Sequence, residues 1–258
     1  MLDANGLAGL STSDVASLTA SQIALIQDSV FGGLVAAQVP ALTSAAVKAL
    51  SADQLVALST AAVAALPVAN FKLFTAVQMA ALSPDQVASL ASDQVRALSA
   101  VSIRYLTQDQ IVALSTANLA LISPLVINGL LPAQTLVLST TQIVALTTEQ
   151  FQSIGKSNIQ SLTIDQIAAI EAQDASALTS LSVATLRADQ LAALSSAAVA
   201  ALGQTALSGL TVANIAGLSS TQLVAMSSEQ LAAFTSAKLR ALNSDQISYL
   251  TTAQIAAL

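Results

Sequence analysis

Four kinds of side chain in this sequence could do chemistry: hydroxyls, carboxylates, carboxamides and a few cations. The hydroxyls recur every eighth residue, each just after a leucine, as at Ser51, Ser59, Ser83, Thr107 and Thr251. A serine nucleophile needs a base within hydrogen-bonding reach, and the chain has no His and no Cys. The commonest general base, the commonest metal ligand, thiolate sites and disulfides all go with them. The hydroxyls therefore read as helix caps, and no catalytic residue is assigned. Among carboxylates, Asp85 and Asp93 share one column in successive octads, and Asp109 follows at a longer interval. Such a ladder could hold Ca²⁺ weakly, but Ca²⁺ wants roughly six to eight oxygens in one place. The acidic column reads instead as helix starts, so no metal ligand and no cofactor-binding residue is assigned. Lys48, Lys72, Arg96, Arg104 and Arg240 share one exposed column and are spread too thinly for a patch. Tyr105 and Tyr249 read as groove fillers, with contact points for a partner as the other reading.

The elements that position these residues follow from one rule, plainest in LSPDQVASLASDQVRALSAVSIRYLTQDQIVAL, residues 82–114. The octad is L-[S/T]-x-x-Q-[I/V/L]-x-A. Counting from Leu2, every eighth residue to Leu258 is Leu, Ile, Met or Phe, without insertion or deletion. A second apolar column runs from Leu7 and Val15 to Ile255, broken by Thr135 and Ala175. Strict register of this kind marks a stacked array of identical units.

A continuous helix cannot carry the pattern. Eight residues at about 100° each overshoot two turns by roughly 80°, so the leucines would spiral around the rod. A strand fails too, because the two apolar columns stand three and five residues apart, on opposite faces of a pleat. A short helix restarted in each octad fits every column. Ser51 would cap the backbone N–H of Gln54, whose side chain would reach back to the Ser51 N–H. The same box is expected at Thr19/Gln22, Thr107/Gln110, Ser139/Gln142, Thr163/Gln166, Ser227/Gln230 and Thr251/Gln254. Acidic residues before the Gln meet the positive end of the helix. Pro84, Pro124 and Pro132 fall at the first helical position, where a missing N–H costs nothing. Helices this short do not stand alone in water, so stability must come from neighbours on both sides.

The column before the leucine suggests a second period. Its large members, Leu25, Leu73, Tyr105, Leu121, Val137 and Tyr249, are all separated by multiples of sixteen, while the alternate set holds only Ala, Gly and Ser. The expected architecture is thus an all-α solenoid of very short capped helices, one per eight-residue repeat, with two helices (about 16 residues) per coil. Residues 1–258 read as a single continuous array of about 32 octads. It is either a piece of a longer array or a subunit without caps. The pattern weakens between Phe151 and Arg187, where Gly155, Glu171 and Arg187 take cap positions and Ala175 replaces a core aliphatic; a weak joint is expected there.

Composition narrows the partners. Hydrophobic residues make 54% of the chain but aromatics only 3%, so the core is aliphatic, and charged residues are only 9%, so Ser, Thr, Gln and Asn are expected to coat the surface. The net charge of −6 and the lack of a basic stripe argue against nucleic acid. Mean hydropathy is +0.72, and residues 119–138 have about the length of a membrane span. That window keeps the octad register and holds Pro124, Asn128, Gly129 and Pro132, so no span is expected. The opening MLDANGLAGL does not read as a signal peptide. No small-molecule substrate is identified.

The octad, as in LSADQLVALSTAAVAAL (50–66) and LTTAQIAAL (250–258), resembles the octapeptide-repeat regions of large bacterial secreted or surface adhesin-like proteins. The resemblance covers the whole chain and implies an extracellular, stalk-like or adhesive role without naming binding residues. LSPDQVASLAS (82–92) is also similar to the helix start of transcription activator-like effector repeats. Those are about four times longer, basic and equipped with a base-reading loop, so the likeness is that of a capped helix. The reading is a structural or interaction element, not an enzyme: an elongated spacer or stalk outside a bacterial cell. The alternatives are a filament subunit stacking on itself end to end, or a scaffold for glycan or peptide. Its partners would be itself or another surface protein.

Overall fold

The structure is a computed structural model that describes residues 3–258; Leu2, where the octad count starts, lies outside them. Among the described residues there are thirty α-helices of four to six residues and two 3₁₀ turns, Val39–Ala41 and Ser102–Tyr105, with no strand. The chain is all-helical, a solenoid of short capped helices.

Each octad stops and restarts its helix through two extended residues. Leu58 (φ −63°, ψ 140°) and Ser59 (φ −64°, ψ 156°) make one such corner. Any residue adopts that backbone, and no described residue has a positive φ. The leucine closes the helix behind it, Leu58 N–H donating to the Leu55 carbonyl at 3.2 Å. The hydroxyl opens the next. Ser51 Oγ accepts from Gln54 N–H at 2.9 Å, and Gln54 Oε1 accepts from Ser51 N–H at 3.0 Å. All six other expected boxes form. At Ala91, Leu131 and Arg187 only the glutamine half remains. Pro84, Pro124 and Pro132 begin their helices.

Contacts divide the chain into two compact units, Met1–Gly129 and Leu130–Leu258. Both are built in the same way. In the first, helix Ala52–Ala57 packs on Asp28–Phe31 behind it and on Ala76–Ala81 ahead. In the second, Ser196–Ala201 packs on Ala172–Ala175 and on Ser220–Ala225. Each of these partners lies three octads along the chain, so one coil holds three helices. The expected two-helix coil is therefore corrected to a three-helix one. The pre-leucine column, on which that expectation rested, does not divide into two classes. A Cβ added at Gly129 or Gly209, from the small set, would collide with the backbone of Ala100 or Ser180. One added at Gly217, from the bulk-tolerant set, would collide with Ala188 in the same way. In all three cases the residue struck stands at the same offset in the coil behind, so both sets share one environment. Large members such as Tyr249 simply run outward, 55% exposed.

The two apolar columns form the interior of each unit; Leu55, Val87, Ile111, Ile167 and Leu191 are fully buried. The glutamines are buried with them, against the expectation that they coat the surface. Gln54, Gln110 and Gln222 are each 1% exposed. Their amide nitrogens reach the coil behind: Gln54 Nε2 donates to the Ile23 and Ile26 carbonyls, both at 2.8 Å. Gln86 does so to Leu55 (2.8 Å) and Leu58 (2.7 Å), and Gln222 to Leu191 (2.8 Å) and Leu194 (2.7 Å). One carboxamide thus joins the N-terminus of its own helix to the C-terminal carbonyls of the helix four octads earlier, the one preceding the helix it packs on.

Variants at two columns test this build. Gln110→Leu, which leaves the Thr107 N–H and the Met79 and Leu82 carbonyls without their partner, should destabilise by about 3 kcal/mol. The exposed Gln108→Ala should change stability by less than about 0.5 kcal/mol, both read from denaturant midpoints. Ala113→Leu and Ala169→Leu, from the two supposed classes of the pre-leucine column, should have effects that agree within about 0.5 kcal/mol, since the added side chain runs outward at both. A clear difference between them would restore two classes of octad.

Candidate functional site

With three octads to the coil, the column that holds the interlocking glutamine becomes the place where octads differ in chemistry. Asparagine is one methylene shorter and reaches less: Asn70 and Asn158 Nδ2 donate to the Leu42 and Leu130 carbonyls, each at 2.9 Å. Lys238 puts an ammonium there. It is 7% exposed, and its Nζ donates to the Leu207 and Ser208 carbonyls at 3.1 and 2.9 Å and lies 5.9 Å from the Phe234 ring centroid. Burial pulls the Lys238 pKa down.

Asp174 reverses the pattern, since a carboxylate can only accept where its neighbours in the column donate. It is 5% exposed, and Oδ1 accepts from the Thr148 hydroxyl at 2.9 Å. Burial pushes its pKa above the ordinary value, against the lowering effect of the Thr148 bond, and Glu171 adds to the rise. A cleft of about 470 Å³ opens beside it, lined by Leu146, Thr147, Thr148, Glu149, Glu171 and Gln173 among others. This is the stretch in which the sequence predicts a weak joint. Glu171 makes no side-chain cap, and Ala175 is fully buried in place of an aliphatic.

The residues singled out in the sequence fall as the three-octad coil dictates. Asp85 and Asp93 are not neighbours, because successive octads lie on different sides of the coil; helix Pro84–Ala88 packs instead on Gln108–Ala113, which brings Asp109 to the side of Asp85. Among the described residues no group of three or more metal-ligating side chains comes together. Lys48, Lys72 and Arg96 share one side of successive coils, all exposed, with Arg96 Nη1 3.5 Å from Asp93 Oδ1; Arg104 lies on another side. Val77, Val101 and Leu125 make a parallel apolar row on the first unit, 68%, 59% and 72% exposed. Sequence reasoning missed both rows, though the three-octad spacing that signals them stands in the sequence. Ser51, Ser59, Ser83, Thr107 and Thr251 cap their helices, as read, whereas Ser123 makes no side-chain cap.

No described helix is long and apolar enough to cross a membrane; residues 119–138 are divided among Thr116–Leu121, Pro124–Ile127 and Pro132–Leu136. The sequence model of the ALTTAQ repeat family matches residues 205–236 and 230–258, which supports a repeat region over 205–258. No curated protein matches the chain.

The inverted joint gives a signed test. The folded-state pKa of Asp174 is raised above the ordinary 3.8, so the charged form costs stability as pH rises from about 3.8 through the raised value. Asp174→Asn carries no such charge, and its amide can donate to Leu146 O as Asn158 does to Leu130 O. The variant should be more stable at neutral pH by on the order of 1 kcal/mol. The gain should vanish below about pH 3.8, where a protonated Asp174 also donates; thermal melts across that range check it.

Proposed function

We propose that the chain is an extended structural element, the spacer or stalk of a bacterial surface or secreted adhesin-like protein working outside the cell. The observation that carries this reading is the glutamine interlock. In both units its bonds beyond its own octad run only backwards, to carbonyls 28 to 31 residues earlier. Proteins held together by such nearest-neighbour terms grow in one dimension. The polar surface supports the same role, being made of short uncharged side chains with few charges. The octad's resemblance to octapeptide-repeat regions of secreted proteins supplies the extracellular setting. No residue is given a catalytic role in this reading.

Small-angle scattering tests it. A monomeric spacer should show a radius of gyration well above the roughly 18 Å of a compact domain of this length, unchanged with concentration. A radius matching that compact domain would overturn the proposal. Particles that lengthen with concentration under the electron microscope would make the chain a filament subunit instead, and thermal stabilisation by a glycan or peptide panel would make it a scaffold.

A further inference from the structure

The joint at Ser102 lacks its crosslink. On either side of it the interlock is complete: Gln94 Nε2 donates to the Val63 and Leu66 carbonyls, both at 2.9 Å, and Gln110 Nε2 to Met79 (3.0 Å) and Leu82 (2.6 Å). The same two offsets assign Ser102 the carbonyls of Phe71 and Phe74. The serine cannot reach them. Its hydroxyl is spent locally, accepting from Ser99 N–H at 2.8 Å and donating to the Ser99 carbonyl at 3.3 Å. Among the described residues no other side chain donates to either carbonyl.

Where the missing carboxamide would lie there is a cavity of about 360 Å³. Phe71, Phe74 and Met79 line it, 1%, 8% and 2% exposed, with the two rings 5.3 Å apart between centroids. Lys72, Ala97, Ser99 and Ser102 complete the lining. The cavity therefore combines an apolar wall with a pair of carbonyls that elsewhere in this chain bind a buried amide NH₂. Lys238 shows that an ammonium can serve at such a joint, but here Lys72 already supplies positive charge. We propose that the gap at Ser102 is a binding site for a primary carboxamide carried on a short apolar stem, its NH₂ donating to the Phe71 and Phe74 carbonyls and its stem lying against the two rings and Met79.

The probe is butyramide, titrated into the full chain and followed by nuclear magnetic resonance of the Phe71, Phe74 and Met79 side chains. Saturable shifts confined to these residues are expected, with a Kd on the order of 1–10 mM for so small a ligand. N,N-dimethylbutyramide, which has no N–H to donate, should bind at least about tenfold more weakly, and n-butylammonium should also be weaker. Ser102→Gln, which supplies the carboxamide from within, should melt higher than the parent and lose the response, while Ser102→Ala should keep it. No saturable response in the parent chain, or equal binding of the dimethylated amide, overturns the proposal. So does a folded Ser102→Gln that still binds like the parent.

Discussion

The fold depends on one carboxamide that answers three hydrogen-bonding demands at once. A helix of five or six residues is nearly all ends, and its terminal N–H and C=O groups have no partner within it. The hydroxyl of the cap satisfies one N–H. The glutamine satisfies the cap's own N–H through Oε1 and two C-terminal carbonyls of the coil behind through Nε2, as Gln54 does with Ser51, Ile23 and Ile26. Buried polar groups are tolerated only when paired, and this one is paired on both sides of the amide. The aliphatic columns supply the driving force for burial, while the amide sets the position at which one coil meets the next.

This arrangement explains why so few charges suffice and why side chains do not converge. Every strong polar interaction is either within an octad or to the coil immediately behind. Catalysis needs groups from different parts of a chain brought to one point, whereas a coil of identical octads returns like to like: Lys48 to Lys72, Asp85 to Asp109, Val77 to Val101. The result is rows of like side chains, with clefts where an octad breaks the rule. Within each unit such rows repeat from coil to coil.

Much of this was legible in the sequence. The hydroxyl after the leucine, the glutamine three residues on and the two apolar columns signal a capped helix wherever they occur together, because those steps are local. Octads such as those of Ser51 and Thr107 need no knowledge of their neighbours to be read this way. The coil length was not legible by the same means. It is set by the backbone at Leu–Ser corners such as Leu58–Ser59 and not by any side-chain class, so the apparent alternation of bulk in the pre-leucine column misled. The second function of the glutamine was hidden for the same reason. Only once the coil is known do the carbonyls of the helix behind stand within reach of Nε2. The long-range signals, the three-octad spacings of Lys48, Lys72 and Arg96 and of Val77, Val101 and Leu125, rest on three side chains each and are drowned by the octad itself.

Where a joint carries an amide it stands on that amide alone, whereas Ala46, Ala62, Val126, Ala198 and Ala206 put no hydrogen-bonding side chain in the column, so the residue in that one position grades the array locally. Glutamine makes three bonds, and asparagine typically loses one carbonyl, as at Asn118, where a single 3.3 Å bond to Leu90 is left. Lys238 keeps the donation but brings a desolvated charge and no acceptor for the cap. Asp174 turns an attraction to peptide carbonyls into a repulsion, and a cleft stands beside it; Ser102 makes no crosslink, and a cavity stands there too. In an array held by nearest-neighbour terms, opening begins at the weakest joint and need not spread. The octads that break the rule are therefore where this otherwise uniform structure has room to yield or to admit another molecule.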